Sequence, residues 1–165
     1  MTTTSFKAHS DVSQDEQYQR SALRLMRIVA ETLTVLERPS SQQNVTEALM
    51  DLDGLYSDYC DTFIAPINPT FDEVIGFIES QSVESNVPQH LRGRTKRTIA
   101  LEVYLSEFDG PNAVLSALRY IMQYDKGYMD KIVAASLPIL DRLGVEQCLE
   151  LAPPMSIKFE QEGTI

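Results

Sequence analysis

Apolar residues recur every three or four positions along most of this chain, and this spacing is what most constrains its fold. A period near 3.6 residues is typical of an amphipathic α-helix. Over residues 112–124 the chain is apolar nearly all round, with Arg119 as the only charge, as expected of a helix at the centre of a bundle. We therefore predict an all-α fold, a single-domain bundle of six or seven helices.

Capping and stop signals divide this pattern into separate helices. Ser13 and Glu16 form a capping box that predicts the start of the first helix, and Pro39 ends it. The apolar spacing then runs through residues 45–63 without a break, which predicts one continuous second helix. A short third helix is predicted to follow at Phe71.

The second half of the chain contains one ambiguous segment. Residues 98–108 have apolar residues at alternate positions, as a strand would, and also an apolar helical face. We predict a helix, because no second strand is present to pair with this one and satisfy its backbone groups. A further helix over residues 128–143 is predicted to be interrupted or kinked at Pro138 and capped by Gly144, before a last turn at residues 145–151.

The composition predicts how the chain is organised and where it acts. We expect residues 1–12 to be disordered, residues 13–151 to form the bundle, and residues 152–165 to form an extended acidic tail. No secretory signal is visible in the first ten residues, and no stretch is apolar for long enough to span a bilayer. Cys60 and Cys148 have no CxxC partner and are interpreted as reduced thiols. Together these features predict a cytoplasmic protein that makes no contact with membranes.

Motifs of known catalytic and nucleotide-binding sites are absent. The sequence contains no HExxH, Glu-x-x-His, GxxxxGK[ST], GxGxxG or GxSxG. A calcium loop beginning at Asp51 fails as well, because Leu55 and Tyr56 stand where the loop requires an oxygen ligand and a glycine. We predict no catalytic residue, metal or cofactor, and a binding function is favoured over an enzymatic one.

Acidic residues form a ridge opposite the apolar face of the predicted second helix. We name as the acidic ridge Glu47, Asp51, Asp58 and Asp61. The interpretations are a solvated helix face, a docking face for a basic partner or a phosphate mimic, and a site where two carboxylates share a hard cation. The net charge of −10, from 14 Lys and Arg against 24 Asp and Glu, favours basic partners and repels nucleic acid from most of the surface.

Basic residues are grouped on the predicted first helix. Arg20, Arg24 and Arg27 form an arginine stripe away from the apolar face, with Glu31 placed to pair with Arg27. The stripe is interpreted as a solvent face with local ion pairs. The alternative is that it contacts the acidic ridge of a second copy, which would produce a homo-oligomer.

A second basic group has no acidic residue among its members. We name as the basic loop Arg92, Arg94, Lys96 and Arg97. Such clusters pair with carboxylates or phosphates, and arginine does so with two parallel hydrogen bonds. Three interpretations remain open: pairing with the protein's own acidic surface, contact with a protein partner, or binding of nucleic acid or a phosphorylated ligand.

Three functions follow from these patterns. The first is a small acidic helical protein-interaction module, an adaptor, chaperone or regulator, that binds another protein through its charged patches. The second is a nucleic-acid or phosphate-ligand binder that uses the basic loop. The third is a small-molecule sensor or enzyme with a pocket between helices, for which the candidate lining residues are Tyr104, Tyr120, Tyr124 and Tyr128.

Overall fold

The computed structural model describes residues 2–81, 87–106 and 112–155, with side chains from residue 16 onward. These ranges contain seven α-helices and no strand, which confirms the predicted all-α bundle. The helices are α1 (Thr2–Val35), α2 (Gln42–Met50), α3 (Leu52–Phe63), α4 (Phe71–Gln81), α5 (Lys96–Leu105), α6 (Ala113–Met122) and α7 (Lys126–Leu151). Short 3-10 turns lie at Ala65–Ile67 and Gln89–Leu91.

The ends of the chain differ in part from the expected organisation. Helix α1 begins at Thr2, whereas the capping-box pattern predicts a start at Ser13. The side chains of residues 1–15 lie outside the described part of the chain, and the disorder expected for residues 1–12 stays a prediction. Most of the expected acidic tail, residues 156–165, also lies outside the described residues.

The prediction of one continuous second helix is wrong, because the helix is interrupted at Asp51, between α2 and α3. The backbone of Asp51 is not helical, and its carboxylate accepts a hydrogen bond from the backbone N–H of Gly54 at 3.0 Å, which caps α3. A short acidic side chain competes in this way with the backbone hydrogen bonds of a helix. A Cβ atom on residue 54 would lie 2.8 Å from Cγ of Asp51, so glycine is what allows the carboxylate to fold back.

The structure also tests the two predictions for the second half of the chain, the helix in the ambiguous segment and the interruption of the last helix at Pro138. The helix predicted over residues 98–108 is confirmed at residues 98–105, within a helix that starts at Lys96 with Thr95 as the N-cap, and residues 107 and 108 lie outside the described residues. Helix α7 continues through Pro138, and its non-helical residue is Gly144, with φ 79° and ψ 166°. This left-handed φ favours glycine, so the predicted cap at Gly144 is confirmed and the interruption expected at Pro138 is not observed.

One apolar core joins the helices. Helix α1 packs chiefly against α7 and also contacts α2 and α6, while α5 packs against α3 and α4. Helix α6 contributes Leu115, Leu118 and Met122 to the core, as its apolar sequence predicts. None of the helices in the described ranges is long and apolar enough to cross a membrane.

Candidate interaction surfaces

The basic loop is divided between the interior and the surface, and Arg94 belongs to the interior. Only 2% of its side chain is exposed. Its Nη1 atom lies 3.1 Å from Oδ1 of Asp53 on α3, and its Nη2 atom donates to the carbonyl of Tyr124 at 3.2 Å. Arg94 therefore ties α3 to the end of α6.

Asp53 accepts hydrogen bonds from the start of α5 as well as from Arg94. Its Oδ2 atom accepts hydrogen bonds from the backbone N–H of Thr95 at 3.0 Å and from the hydroxyl of Thr98 at 2.8 Å. The N-terminus of a helix carries partial positive charge and unpaired N–H groups, so a carboxylate is stabilised there. The charge of Asp53 is thus neutralised on both sides within the fold.

Arg97 makes the same kind of contact one helical turn further along α3. Its Nε atom donates to the hydroxyl of Ser57 at 2.6 Å, and its Nη2 atom pairs with the carboxylate of Asp61. The α3 partners, Asp53, Ser57 and Asp61, are four residues apart and therefore share one face of the helix. We call this contact between α3 and the start of α5 the polar seam.

Two members of the basic loop remain at the surface. Arg92 and Lys96 are exposed, and neither has a hydrogen bond or ion pair with another described residue. Gly93 between them has φ 87°, and a Cβ atom there would lie 3.2 Å from Cδ of Lys126. The side chain of Lys126 therefore runs beside the loop.

The arginine stripe is also divided. Arg20 is exposed, whereas Arg24 is half-buried. Arg27 donates to the carbonyl of Leu149 and, at 3.4 Å, to that of Ala152, so that it caps the C-terminal end of α7. Lysine or arginine at this position satisfies carbonyl groups that lack a partner in the helix.

The structure divides the acidic ridge, since three of its members share one cleft and Asp61 lies apart from them. Asp58 pairs with Arg38 at 3.0 Å, and Asp61 belongs to the polar seam. A cleft of about 250 Å³ is lined by Glu47, Asp51 and Asp58 together with Arg38 and Asn44. Among the described residues, no cluster of Asp, Glu, His and Cys is arranged to hold a metal ion.

Three of the four candidate tyrosines line one cavity. It lies between α1, α6 and α7, and its polar lining is Ser21, Arg24, Tyr120, Tyr124 and Tyr128. Burial and a hydrogen bond with Tyr120 raise the pKa of Tyr124 to about 12. The cavity volume of about 40 Å³ fits a few water molecules. Tyr104 lies elsewhere, in an edge-to-face contact with Phe71.

A largely buried network of three polar side chains connects α3, α5 and α6. The hydroxyl of Tyr56 donates to Glu102 at 2.5 Å, and Nε of Arg119 lies 3.4 Å from the same carboxylate oxygen. Burial raises the pKa of Tyr56, and burial followed by the negative charge of Asp61 raises that of Cys60 to about 12. At neutral pH this thiol is protonated, which removes its nucleophilic character.

A groove of about 370 Å³ lies between the α2–α3 junction and α7. We call it the Met50 groove. Its apolar lining is Leu49, Met50, Leu52, Met129, Val133, Ala134 and Leu137, and its charged lining is Asp51, Asp53, Arg94, Lys126 and Asp130. Met50 is 67% exposed, although it is a large apolar residue. Sequence reasoning missed this groove, because it treated residues 45–63 as one uninterrupted helix.

Comparisons with protein-family models, curated proteins and solved structures find no match to this chain. A functional proposal therefore depends on the surfaces described above.

Proposed function

We propose that this protein is a protein-interaction module that binds an amphipathic helical segment of another protein in the Met50 groove. The observation that carries the proposal is the exposure of Met50 on the rim of an apolar groove of about 370 Å³. Methionine adapts its shape to different partners and is frequent at binding surfaces of this kind. Covering its side chain with a partner contributes about 1 to 2 kcal/mol.

The charges around the groove are mixed and select no single sign of charge in the partner. The lining contains three carboxylates, Asp51, Asp53 and Asp130, and two cations, Arg94 and Lys126. Arg94 is buried in its pair with Asp53, and Lys126 pairs with Asp130 at 3.0 Å. The proposal therefore depends on the apolar lining of the groove.

Site-specific photo-crosslinking in the native cell tests this proposal. A photoreactive amino acid replaces Met50 in one variant and Phe77 in the control, because Phe77 on α4 is 64% exposed and lies outside the groove. We expect one defined protein adduct at position 50 and none of the same mass at position 77. The same adduct at both positions, or none at position 50, would remove the groove from the interface.

Competing functions are less well supported by the structure. For nucleic-acid binding, two of the four cations of the basic loop, Arg94 and Arg97, are already in ion pairs within the chain. For a metabolite pocket, the tyrosine-lined cavity of about 40 Å³ is large enough only for a few water molecules. Self-association of the acidic ridge with the arginine stripe stays a prediction. Two free, buried thiols, Cys60 and Cys148, support the proposed cytoplasmic location.

A further inference from the structure

A second groove lies between α1 and α7, with a volume of about 440 Å³. Helix α7 provides one continuous stripe of residues for it, at spacings of three and four, and α1 provides two polar residues. The lining is Lys131, Ala135, Pro138, Ile139 and Arg142 from α7, with Tyr18 and Gln19 from α1. The stripe is therefore apolar in the middle and positively charged at each end.

The two cations are unusual in a chain whose net charge is −10. Lys131 and Arg142 are exposed, and neither forms an ion pair or hydrogen bond with another described residue. No Asp or Glu is among the described residues that line the groove. By contrast, Arg38, Arg94 and Arg97 are all paired with carboxylates. The groove thus has positive charge that the described part of the fold leaves unneutralised.

The separation of these cations sets the length of a complementary ligand. Lys131 and Arg142 are eleven positions apart on one helix, which corresponds to about 16 Å at 1.5 Å per residue. An extended peptide rises about 3.3 Å per residue and points successive side chains to opposite faces, so residues four positions apart share one face and lie about 13 Å apart. The long side chains of Lys131 and Arg142 can cover the remaining distance. We propose that the groove between α1 and α7 binds an extended peptide segment of a partner protein in which two acidic residues, four positions apart, flank apolar residues.

This site is separate from the Met50 groove, although α7 contributes to both. The Met50 groove uses Lys126, Asp130, Val133 and Leu137, whereas the second groove uses residues one position further along, from Lys131 to Arg142. One position corresponds to a rotation of about 100° around a helix. The two grooves therefore lie on different faces of α7, and either can be occupied without the other.

Fluorescence anisotropy with two labelled peptides of equal composition tests the inference on the full chain. The first is Glu-Ala-Leu-Val-Glu-Leu with blocked ends, and the second is Glu-Ala-Glu-Leu-Val-Leu. Both have the same net charge, and only the first has acidic residues four positions apart on one face. We expect the first peptide to bind at low salt about fivefold more tightly than the second, because only it reaches both cations at once.

Charge-reversal variants connect this binding to the groove. Lys131→Glu and Arg142→Glu should each weaken binding of the first peptide about fivefold, with an unchanged melting temperature because both residues are exposed. Arg92→Glu is the matched control, an exposed cation outside the groove, and should leave binding unchanged. Since neither Lys131 nor Arg142 lines the Met50 groove, failure of this inference is distinguishable from failure of the proposed function.

Three results would overturn the inference. Equal affinity for the two peptides would show general charge attraction instead of a spaced site. Equal loss in Arg92→Glu and Lys131→Glu would place the peptide elsewhere. Binding that occurs only after residues 156–165 are deleted would show that the chain's own acidic tail is the occupant.

Discussion

The carboxylate of Asp53 and the guanidinium of Arg94 lie 3.1 Å apart between α3 and the segment that leads into α5, with 13% and 2% of their side chains exposed. This pair is supported from both sides. Arg94 also donates to the carbonyl of Tyr124, while Asp53 also accepts from the start of α5. A buried ion pair whose partners are both hydrogen-bonded is strongly destabilising to break, because the remaining charge is left in the interior.

Removal of the Asp53 carboxylate tests the structural role of this pair. We expect Asp53→Ala to lower the free energy of unfolding by about 3 kcal/mol or more, since Arg94 would be left buried without its counter-charge. Asp58→Ala is the matched control, because the Asp58–Arg38 pair is about half exposed and its loss should cost less than about 1 kcal/mol. Urea denaturation of both variants measures the difference in the free energy of unfolding. Equal losses of this free energy in the two variants would contradict a buried ion pair between Asp53 and Arg94.

Gly54 allows the cap at Asp51, and two glycine substitutions test this role. Gly54→Ala should destabilise the protein by about 1 to 2 kcal/mol, because the new Cβ atom collides with the Asp51 carboxylate and the cap is lost. Gly76→Ala is the control, since no atom lies within 4 Å of a Cβ atom at that position of α4. It should raise stability by about 0.5 to 1 kcal/mol. Thermal melts of the two variants should shift in opposite directions, and shifts of the same sign would contradict the cap.

The raised pKa of the Cys60 thiol predicts how the free energy of unfolding depends on pH. Burial raises its pKa from 9.0 to about 12, so in alkaline solution the unfolded chain loses this proton before the folded protein does. The unfolded state then binds fewer protons, and the free energy of unfolding falls as the pH rises from about 9 to about 12. Tyr124, with its pKa raised from 10.0 to about 12, adds to this fall.

The variant Cys60→Ala isolates the contribution of the thiol. Its free energy of unfolding should be lower at neutral pH but should fall less steeply between pH 9 and about 11 than that of the parent. Urea denaturation at several pH values measures both slopes. Identical slopes would show that the thiol does not titrate differently in the two states.

Arg27 is predicted to hold the last turn of α7. We expect Arg27→Ala to increase amide hydrogen exchange in residues 145–152 several-fold while the exchange of α3 stays constant, because the carbonyls of Leu149 and Ala152 lose their donor, and the other partner of Arg27, Glu31, lies on α1 itself. Arg20→Ala, an exposed member of the same stripe, is the control and should change neither region. Faster exchange throughout the chain in Arg27→Ala would mean that the residue supports the whole fold.

The helices were predictable because their signals are local. The apolar period over residues 112–124 and the helix-capping glycine at position 144 depend only on neighbouring positions, and both features appear in the structure. The break at Asp51 has a local signal too, an aspartate three residues before a glycine. Sequence reasoning missed it because uninterrupted apolar spacing outweighed that signal.

The contacts between helices were not predictable in the same way. The basic loop was found from its composition, but its division into a buried Arg94 and an exposed Arg92 depends on which helix packs beside it. Asp53 was overlooked, although its position four residues before Ser57 on one helix face gave a weak signal. Met50 falls outside the apolar face of the predicted second helix, so its exposure has a local signal, whereas the groove beside it depends on how α7 packs against the junction of α2 and α3.

Calorimetric titration of the purified crosslinked partner with two variants tests the proposed function most directly. The proposal predicts that Met50→Glu weakens the affinity at least about tenfold, because a buried charge replaces an apolar contact. It also predicts that Phe77→Glu, at a comparably exposed position outside the groove, leaves the affinity unchanged. An unchanged affinity for Met50→Glu, or an equal loss in both variants, would contradict binding in the Met50 groove.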